Sequence, residues 1–575
     1  MVQNAGEAGR MRQRITDWQK PTALALALVI VAIAAFRSTF GISFADDSFY
    51  AAVPLRLALG AHLFTDEATF QATASLLAVP FAAMWHGLFG VSGIILALRL
   101  FYVGLATLVG FAVVKSLRPS FGPVMPVAAV SAVLLAPAYY TFAVSYNTAT
   151  QLAFMLSVGL VFAARRDGSR SLAAGAGALA VLGCVFYPPF VLAALPTAVA
   201  AAFVLRQRRL WAWLLGGAAA MIGVAAVWLL ATTPFIDLLR TLEFMSDAAY
   251  SGNGNSSTIL ERIATTQSVV GRIARKREWW PAIALGIVVA LPLVKGRAKG
   301  WLASLLPVAV ALPGMLALMR GDTKSFGVPV LSYLLAFTLA LIPLAVVSAL
   351  RRDDGSRDRN RLLLLGGVFS AAAIPLVTLS TSSGFFNGMP GVGATPFALA
   401  AIVCWLTLIL EWAGKRAVMS AVAVLLVIEV ALLFSVSFKD GAPLALDRRF
   451  THGAAAGIRT TAERVEVVET VERRLAGLTR PGSQLLVVSA PLIYTLTDAK
   501  ALTYATWLGP GPANIAVLDY YRRVGRTPDI VVVSRSLMTE ADDAVPLDST
   551  DPLLTWIARE YEPVEGVGFV IMRRR

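Results

Sequence analysis

Long apolar runs separated by short polar segments fill the first three quarters of the chain. A helix that spans a membrane needs about 20 predominantly apolar residues, and thirteen such segments can be drawn. The predicted spans are Thr22–Phe40, Gly93–Val114, Pro123–Phe142, Thr148–Ala164, Leu172–Pro188, Phe190–Leu205, Trp211–Thr232, Pro281–Val294, Trp301–Met319, Val328–Leu350, Leu362–Leu379, Pro396–Trp412 and Val418–Phe438. The pattern predicts an α-helical polytopic membrane protein with a membrane domain over residues 22–438.

The chain after Phe438 follows a different pattern. Residues 460–478 have helical periodicity, and Thr461 stands where a helix cap is expected. One face of this helix carries Val465, Val468, Val471 and Leu475. Short apolar runs predict three strands, at Leu485–Val488, Ile530–Val533 and Val567–Met572. Residues 439–575, called the tail domain below, are therefore predicted to form a small α/β domain.

The distribution of charge gives an orientation to this topology. The chain has 50 basic and 35 acidic side chains, but the tail domain has 17 of each, so the net charge of +15 lies before it. Every second loop between the predicted spans is basic, as in Lys115/Arg118, Arg165/Arg166/Arg170, Arg206/Arg208/Arg209, Lys295/Arg297/Lys299, Arg351–Arg361 and Lys415/Arg416. The positive-inside rule then places residues 1–21 in the cytoplasm and, after an odd number of spans, the tail domain outside. The charge is explained by topology, so nucleic-acid binding is excluded.

Composition excludes several other classes. The chain is 57% hydrophobic and 15% charged, whereas soluble domains have about 25% charged residues. The two cysteines, Cys184 and Cys404, both lie in apolar runs, so no disulfide framework is expected. The first apolar run is long and lacks a cleavage site that leads to a soluble start, which favours an uncleaved anchor over a signal peptide.

Two long loops interrupt the regular alternation of spans, at residues 41–92 and 234–280. Both are predicted to lie outside. The first, called the first long loop below, has an apolar and amphipathic second half, Thr69–Gly90, around Trp85 and His86. This half is expected to form a helix in the membrane interface.

Two acidic pairs in the first long loop are the strongest chemical signal. Asp46-Asp47 follows the first span in the string FADDSFY, and Asp66-Glu67 comes later in the same loop. Carboxylates beside hydrocarbon are costly and indicate function by default, against the plain alternative of a charged loop boundary. Such carboxylates could take a proton from an acceptor hydroxyl, or Asp46, Asp47 and Asp66 could hold a divalent cation such as Mg²⁺ or Mn²⁺.

Cations near the same face are candidates for binding a phosphate group. Arg99 lies about two turns into the second span, where it could either pair with Asp46 or Asp47 or bind phosphate. Arg320 and Lys324 form a charged cluster in a short loop, for which the plain alternative is a solvated surface.

The arrangement resembles the GT-C superfamily of membrane glycosyltransferases, which includes protein O-mannosyltransferases and mycobacterial arabinosyltransferases. The resemblance rests on FADDSFYAAVPLRLALG followed by LFTDE, and more weakly on LMRGDTKS and SSGFFNG. It implies a GT-C-like fold with an extracytoplasmic C-terminal domain. It also implies that Asp46 or Asp47 matches the catalytic acidic position and that Asp66 matches the second acidic site. The composition is similar to that of high-GC actinobacteria.

The resemblance implies transfer of a sugar from a polyprenyl-phosphate donor to an envelope glycan, lipid or protein at the outer face of a bacterial plasma membrane. A hexosyl- or pentosyltransferase of cell-wall biogenesis would have this activity. Two alternatives stay open. A secondary transporter or flippase is disfavoured because the chain lacks an internal repeat. A noncatalytic scaffold could bind wall glycan through Tyr504, Trp507, Tyr520 and Tyr521 of the tail domain.

Overall fold

A computed structural model describes residues 2–135, 137, 141–251, 356–380, 389–435, 440–480, 482–535, 550–566 and 568–575. Three predicted spans, at residues 281–294, 301–319 and 328–350, lie outside the described residues, as do Arg320 and Lys324. Of Asp46, only the backbone is described.

The membrane domain is built from helices. They are α1 (Val2–Arg37), α2 (Asp46–Ala58), α3 (Val79–Phe89), α4 (Ile94–Phe121), α5 (Val124–Leu134), α6 (Tyr146–Asp167), α7 (Arg170–Phe186), α8 (Val191–Leu205), α9 (Arg208–Thr232), α10 (Phe235–Ser251), α11 (Ser356–Ser380) and α12 (Met389–Leu433). A 3₁₀ segment, Phe70–Leu77, precedes α3, and the two meet at an angle of 62°. The segment predicted as one interfacial helix at residues 69–90 is therefore bent.

Among the described residues, seven helical stretches are long and apolar enough to cross a membrane. They are Trp18–Arg37, Ile94–Phe121, Tyr146–Asp167, Pro188–Leu205, Arg208–Thr232, Val392–Glu411 and Ala413–Leu433. The last two belong to α12, which is broken at Gly414, where φ is 77°. The prediction of a polytopic α-helical membrane protein is confirmed by these stretches. The sequence predicts thirteen spans, of which three fall outside the described part of the chain, so ten predicted spans compare with these seven stretches.

Helix α5 is shorter than the sequence predicts. The predicted span covered residues 123–142, but the helix ends at Leu134 after 11 residues, which is about 16 Å of rise. Every residue of α5 is buried. Of the described residues beyond it, 137 and 141–145 are not helical, which is compatible with a membrane because non-helical backbone is tolerated where protein surrounds it.

Small residues bring some helices close together. A Cβ added at Gly177 of α7 would lie 1.9 Å from the carbonyl oxygen of Leu214 on α9, and one added at Gly217 would lie 1.9 Å from that of Ala174. Each glycine thus allows the backbone of the other helix to approach. This is the way in which small residues replace the hydrophobic driving force inside a membrane.

The tail domain is an α/β domain, as predicted. Its strands are β1 (Arg448–Arg449), β2 (Arg459–Thr460), β3 (Gln484–Val488), β4 (Lys500–Ala501), β5 (Ile530–Ser534), β6 (Tyr561–Gly566) and β7 (Phe569–Arg574). Its helices are α13 (Ala462–Leu478), α14 (Ile515–Val524) and α15 (Pro552–Glu560). The main sheet has the order β4-β3-β5-β7-β6, parallel across its first three strands and antiparallel across the rest.

Helix α13 forms for the reasons visible in the sequence. The hydroxyl oxygen of Thr461 accepts the backbone N–H of Arg464, which satisfies one free donor of the first turn. Val468, Val471 and Leu475 are buried, as the predicted apolar face requires.

Backbone hydrogen bonds join the tail domain to the first long loop and to the adjacent ends of the spans. The N–H of Arg459 donates to Thr39 O at 2.7 Å, and the N–H of Gly41 donates back to Arg459 O at 2.8 Å. Farther along, the N–H of Ala68 donates to Tyr504 O at 2.8 Å. The end of the helix bundle at which these contacts occur is called the tail side below.

The basic loops that the structure describes around residues 115–118, 165–170 and 206–209 lie at the end opposite the tail side. Arg166 Nη1 donates to Ser116 O at 2.8 Å, which joins the last turn of α6 to the last turns of α4. Lys415, next to the break in α12, lies over the ring of Trp18 near the start of the first candidate span, at 4.8 Å. These described basic loops are thus separated from the tail side, while the topology in a membrane stays a prediction.

Candidate functional site

The first acidic pair lies at the start of α2, where the chain turns back after α1. Asp46 is the first residue of the helix and Asp47 the second. Carboxylates in a first helical turn are stabilised by the free N–H groups there. Asp47 is only 9% exposed, and its Oδ1 accepts the N–H of Ser43 at 3.0 Å and the hydroxyl of Ser48 at 3.4 Å.

Arg99 of α4 forms an ion pair with Asp47. The same guanidinium group binds the end of α1, since Nη1 donates to Ser38 O at 2.9 Å and Nη2 donates to Gly41 O at 2.8 Å. Arg99 is 5% exposed. Both terminal nitrogens are therefore used to hold α1, α2 and α4 together at the tail side. Of the two roles that the sequence left open for Arg99, the geometry is that of the ion pair.

The second acidic pair contains a similar buried pair with a different set of partners. Glu67 Oε2 lies 2.7 Å from Nη1 of Arg56 on α2, and the two side chains are 1% and 6% exposed. Glu67 also accepts the backbone N–H of Thr506 at 2.8 Å, as well as the Thr506 hydroxyl. Arg56 Nη2 donates to Thr503 O at 3.1 Å. This network joins the first long loop to the tail domain.

Asp66 belongs to the same joint. Its Oδ1 accepts the hydroxyl of Tyr520 at 2.9 Å, and its Oδ2 accepts the N–H of His62 at 2.8 Å. Burial, and next the nearby Asp66 carboxylate, raise the pKa of Tyr520, so the phenol keeps the proton that it donates. Burial raises the pKa of Tyr494, beside Arg56, to about 12. The charge of Arg56 is therefore balanced by Glu67 and not by a phenolate.

Two residues that the sequence analysis did not single out strengthen this joint. Asp237, at the start of α10, is 8% exposed and accepts Nη1 of Arg523 at 2.9 Å. Arg523 in turn lies over the rings of Tyr504 and Tyr520. Asp237 is an acidic residue in the first turn of the amphipathic helix α10, a signal comparable to that of Asp46-Asp47. Arg56 also carries a readable signal, since it is the one charge in the apolar stretch at residues 48–61.

A row of aromatic rings connects the tail domain to the tail-side ends of α6 and α7. Trp507 lies 6.0 Å from Phe49, which lies 5.2 Å from Tyr50. The ring of Tyr146 lies 6.3 Å from that of Tyr50, and the ring of Tyr187 lies 4.9 Å from that of Tyr146. Aromatic faces suit the apolar faces of sugar rings. Phe49 and Tyr50 stand within one turn of Asp46 and Asp47 on α2.

The other tail-domain aromatics considered for glycan stacking are interior residues. Tyr504, Tyr520 and Tyr521 are 1%, 4% and 4% exposed, whereas Trp507 is 38% exposed. Of these four side chains, Trp507 is the one with an accessible face.

The described carboxylates do not assemble a metal site. No three His, Cys, Asp or Glu side chains cluster in the described part of the chain. Asp47 is held by Arg99, and Asp66 by Tyr520 and the backbone of His62. Among the described side chains, the carboxylates of Asp47 and Asp66 are therefore bound to protein partners and do not form a site for Mg²⁺ or Mn²⁺.

The sequence matches no protein-family model and no curated protein. Among solved structures, the chain is similar to the Archaeoglobus fulgidus oligosaccharyltransferase in the apo form, with 13% identity and a TM-score of 0.47 over 95% of this chain and 73% of that chain. It is also similar to ArnT from Cupriavidus metallidurans bound to undecaprenyl phosphate, with 12% identity and a TM-score of 0.39 over 96% and 97% of the two chains. A third, the archaeal oligosaccharyltransferase AglB from Archaeoglobus fulgidus with an inhibitory peptide and a dolichol-phosphate, has 11% identity and a TM-score of 0.43 over 97% and 75%. At these TM-scores the activity has to be argued from the chain's own residues.

Proposed function

We propose that the protein is a membrane glycosyltransferase that uses a polyprenyl-phosphate sugar donor and works at the tail side, which faces away from the cytoplasm. The observation that carries the proposal is the acidic pair at the start of α2, fixed by a buried arginine beside the membrane and adjoining a row of aromatic rings. Buried charges in such a place are expensive to maintain. The resemblance of the FADDSFY segment to GT-C enzymes points to the same reaction.

Within the pair, we assign the base to Asp46 and a positioning role to Asp47. The oxygens of Asp47 already accept Arg99, Ser43 and Ser48. A proton taken up by Asp47 would leave the buried guanidinium of Arg99 without its counter-charge, which is costly. Asp46 precedes it at the same helix start and stands one turn before Tyr50.

The proposed step is a single displacement at the anomeric carbon. The acceptor hydroxyl oxygen forms the new bond to that carbon while its proton passes to Asp46. The bond between the carbon and the phosphate oxygen breaks, and polyprenyl phosphate leaves with the electron pair, so the anomeric configuration inverts. A general base of this kind contributes about 10²- to 10⁴-fold to the rate. Arg320 and Lys324 stay proposed ligands of the phosphate group, because Arg99 is occupied by Asp47.

The proposal also specifies the transferred sugar and the acceptor. We propose a hexose or pentose as the transferred group, in the manner of O-mannosyl- or arabinosyltransferases. An envelope glycan, lipid or protein in an actinobacterial plasma membrane would be the acceptor. Trp507 is the side chain best placed to contact an acceptor sugar, since it is exposed and adjoins Phe49 of α2.

The test uses full-length protein in nanodiscs, a panel of radiolabelled polyprenyl-phosphate sugars and an envelope extract as acceptor. The proposal expects transfer from one donor class, with inversion at the anomeric carbon of the product. Transfer should fall about 10²- to 10⁴-fold in Asp46→Asn and be kept by Glu562→Gln, a change of an exposed carboxylate on β6. Failure of every donor, with unchanged envelope glycans in a deletion strain, would overturn it.

One observation favours the second candidate, a secondary transporter or flippase. Both carboxylate oxygens of Glu429, which is 3% exposed in the last turns of α12, have no hydrogen-bond partner in the described part of the chain. Ionisable groups inside a span are typical of ion and substrate pathways. Loss of lipid-linked substrate flipping in proteoliposomes of Glu429→Gln, with no transfer by the wild type, would favour that candidate.

A further inference from the structure

A groove lies on the side of the molecule where α3, the first two turns of α4 and strand β1 meet. It encloses about 800 Å³, which lies within the range of small-molecule sites. Its main lining residues are Phe81, Trp85, Leu96, Leu100, Phe101 and Arg449. The acidic pairs and the aromatic row described above do not line it, so its role is separate from the proposed transfer.

The groove runs from the tail domain down along a membrane span. Its wall on α4 extends from Gly93 to Phe101, which is about 12 Å at 1.5 Å per residue. Leu100 is 43% exposed, and Leu108 and Phe111 farther along α4 are 69% and 66% exposed. This face of α4 therefore faces lipid. A depth of about 12 Å leads from the headgroup region into the hydrocarbon of one leaflet.

The upper end of the groove is cationic. The guanidinium group of Arg449 is exposed and has no hydrogen-bond or ion-pair partner among the residues that the structure describes. Arg459 stands opposite Arg449 across the β1–β2 ladder. A Cβ added at Gly457 would lie 3.7 Å from Nη2 of Arg449 and 2.8 Å from Leu96, so the glycine leaves room between the cation and the apolar wall.

The indole of Trp85 lies between the cationic end of the groove and its apolar end along α4. Its Nε1 donates to Ser92 O at 2.9 Å, and its ring lies 6.1 Å from Phe81, which stacks on Phe101 at 4.7 Å. Tryptophan prefers the level of the lipid headgroups, where one end of the ring is wet and the other apolar. The groove therefore has a cation at its tail-domain end, an indole at the level of the headgroups and aromatic rings at its membrane end. A phospholipid presents its phosphate, glycerol and acyl chain in the same order.

We propose that this groove binds one anionic phospholipid, with its phosphate at Arg449 and an acyl chain against Phe81, Leu100 and Phe101. A peptide is a poor occupant because its backbone groups would be left without hydrogen bonds at hydrocarbon depth. The bound lipid contacts β1 and α4 together, beside the hydrogen bond from Gly93 N to Gly453 O at 3.0 Å. It therefore fastens the tail domain to the membrane domain.

The test is native mass spectrometry of the full-length protein, delipidated in detergent and titrated with phosphatidylglycerol or with phosphatidylcholine of the same acyl chains. The expected result is one phosphatidylglycerol that binds on the order of fivefold more tightly than phosphatidylcholine, because both lipids carry the phosphate but the choline cation offsets its charge and repels Arg449. Arg449→Gln should remove this preference. Leu100→Trp, which fills the lipid-facing part of the groove, should remove the bound lipid with the charge still present.

Arg448→Gln is the matched control, since it removes the same charge from the neighbouring residue of β1. Neighbouring side chains on a strand point to opposite faces, and Arg448 does not line the groove. Equal effects of the two arginine variants, or equal binding of the two lipids, would overturn the proposal in favour of a generally basic surface. Competition by soluble glycerol phosphate at equal concentration would overturn the lipid assignment in favour of a phosphate site. Unchanged thermal unfolding shows that each variant is folded.

Discussion

The first long loop carries two acidic pairs 20 residues apart, and each provides one carboxylate to a buried arginine. The arginine at the first pair, Arg99, donates its other hydrogen bonds to carbonyl oxygens at the end of α1. The arginine at the second pair, Arg56, donates hydrogen bonds to the backbone carbonyl oxygens of Asp66 and of Thr503 in the tail domain. Similar residue types therefore serve two different joints, one between membrane helices and one between the loop and the tail domain.

The two pairs also differ in the residue next to the arginine's carboxylate partner; that residue is Asp66 in the second pair and Asp46 in the first. Asp66 is bound by Tyr520 of the tail domain, so the second pair is committed to the joint as a whole. At the first pair, Asp47 is committed to Arg99, and Asp46 is the member to which we assign chemistry. The variants below separate the two pairs, beginning with the largest effect.

Glu67→Gln should have the largest effect on stability. The amide leaves the charge of Arg56 buried without a counter-charge, and breaking such a pair costs about 3–5 kcal/mol. Thermal unfolding of the full-length protein in nanodiscs measures the loss, and hydrogen exchange should show lower protection of the Thr506 amide, which donates to Glu67. The exposed Glu562→Gln serves as the control. An unfolding midpoint equal to that of wild type would show that the pair does not hold the joint.

Replacing both partners of that pair should restore part of the lost stability. The double variant Arg56→Met/Glu67→Leu removes the two charges together, and apolar substitutes for a buried pair are often neutral or stabilising. A double variant that is less stable than Glu67→Gln alone would mean that the bonds from Arg56 to Thr503 and Asp66 matter more than the charge balance.

Asp47→Asn should cost somewhat less, about 3 kcal/mol. It also leaves a buried guanidinium without its counter-charge, but Asp47 is 9% exposed whereas Glu67 is 1% exposed. The amide oxygen can still accept the N–H of Ser43, and the lost charge affects Arg99 alone. The loss should map to the ends of α1 and α4 in hydrogen exchange, with the Thr506 amide protected as in wild type. Lower protection at Thr506 would mean that the two joints are one cooperative unit.

The fold could be predicted from the sequence wherever one local pattern decided it. Thr461 caps α13, and the runs 485–488 and 530–533 form β3 and β5. Strand β6 was missed because Tyr561–Gly566 contains two glutamates and a proline and lies at the edge of the sheet. Helix α15 was missed although Asp551 and Pro552 give a readable cap and first position.

The candidate site could be predicted only in part, because pairing depends on packing. The sequence singled out Asp47 and Arg99 but left Arg99 between an ion pair and a phosphate site. The two residues are 52 positions apart, and their contact is set by how α4 meets the end of α1. The second pair could not be assigned to the joint, since Glu67 and Thr506 are 439 positions apart.

Tyr520→Phe should have the smallest effect, about 1.5 kcal/mol, because it removes one hydrogen bond to the carboxylate of Asp66. The effect depends on pH. The folded-state pKa of Tyr520 is raised above its ordinary value of 10, so its contribution is fully present below pH 10 and is lost as the pH rises from there toward the raised pKa. The difference in unfolding free energy between wild type and variant should therefore shrink above pH 10. A difference that grows with pH would contradict the assigned bond.

The central claim is that the first acidic pair carries the chemistry and the second holds the tail domain. The most direct measurement compares sugar transfer and thermal unfolding of Asp46→Asn and Asp66→Asn in nanodiscs. The account predicts that Asp46→Asn lowers transfer about 10²- to 10⁴-fold with an unchanged unfolding midpoint, whereas Asp66→Asn lowers the midpoint and keeps transfer within a few-fold. Full transfer by Asp46→Asn together with its loss in stably folded Asp66→Asn would contradict the account.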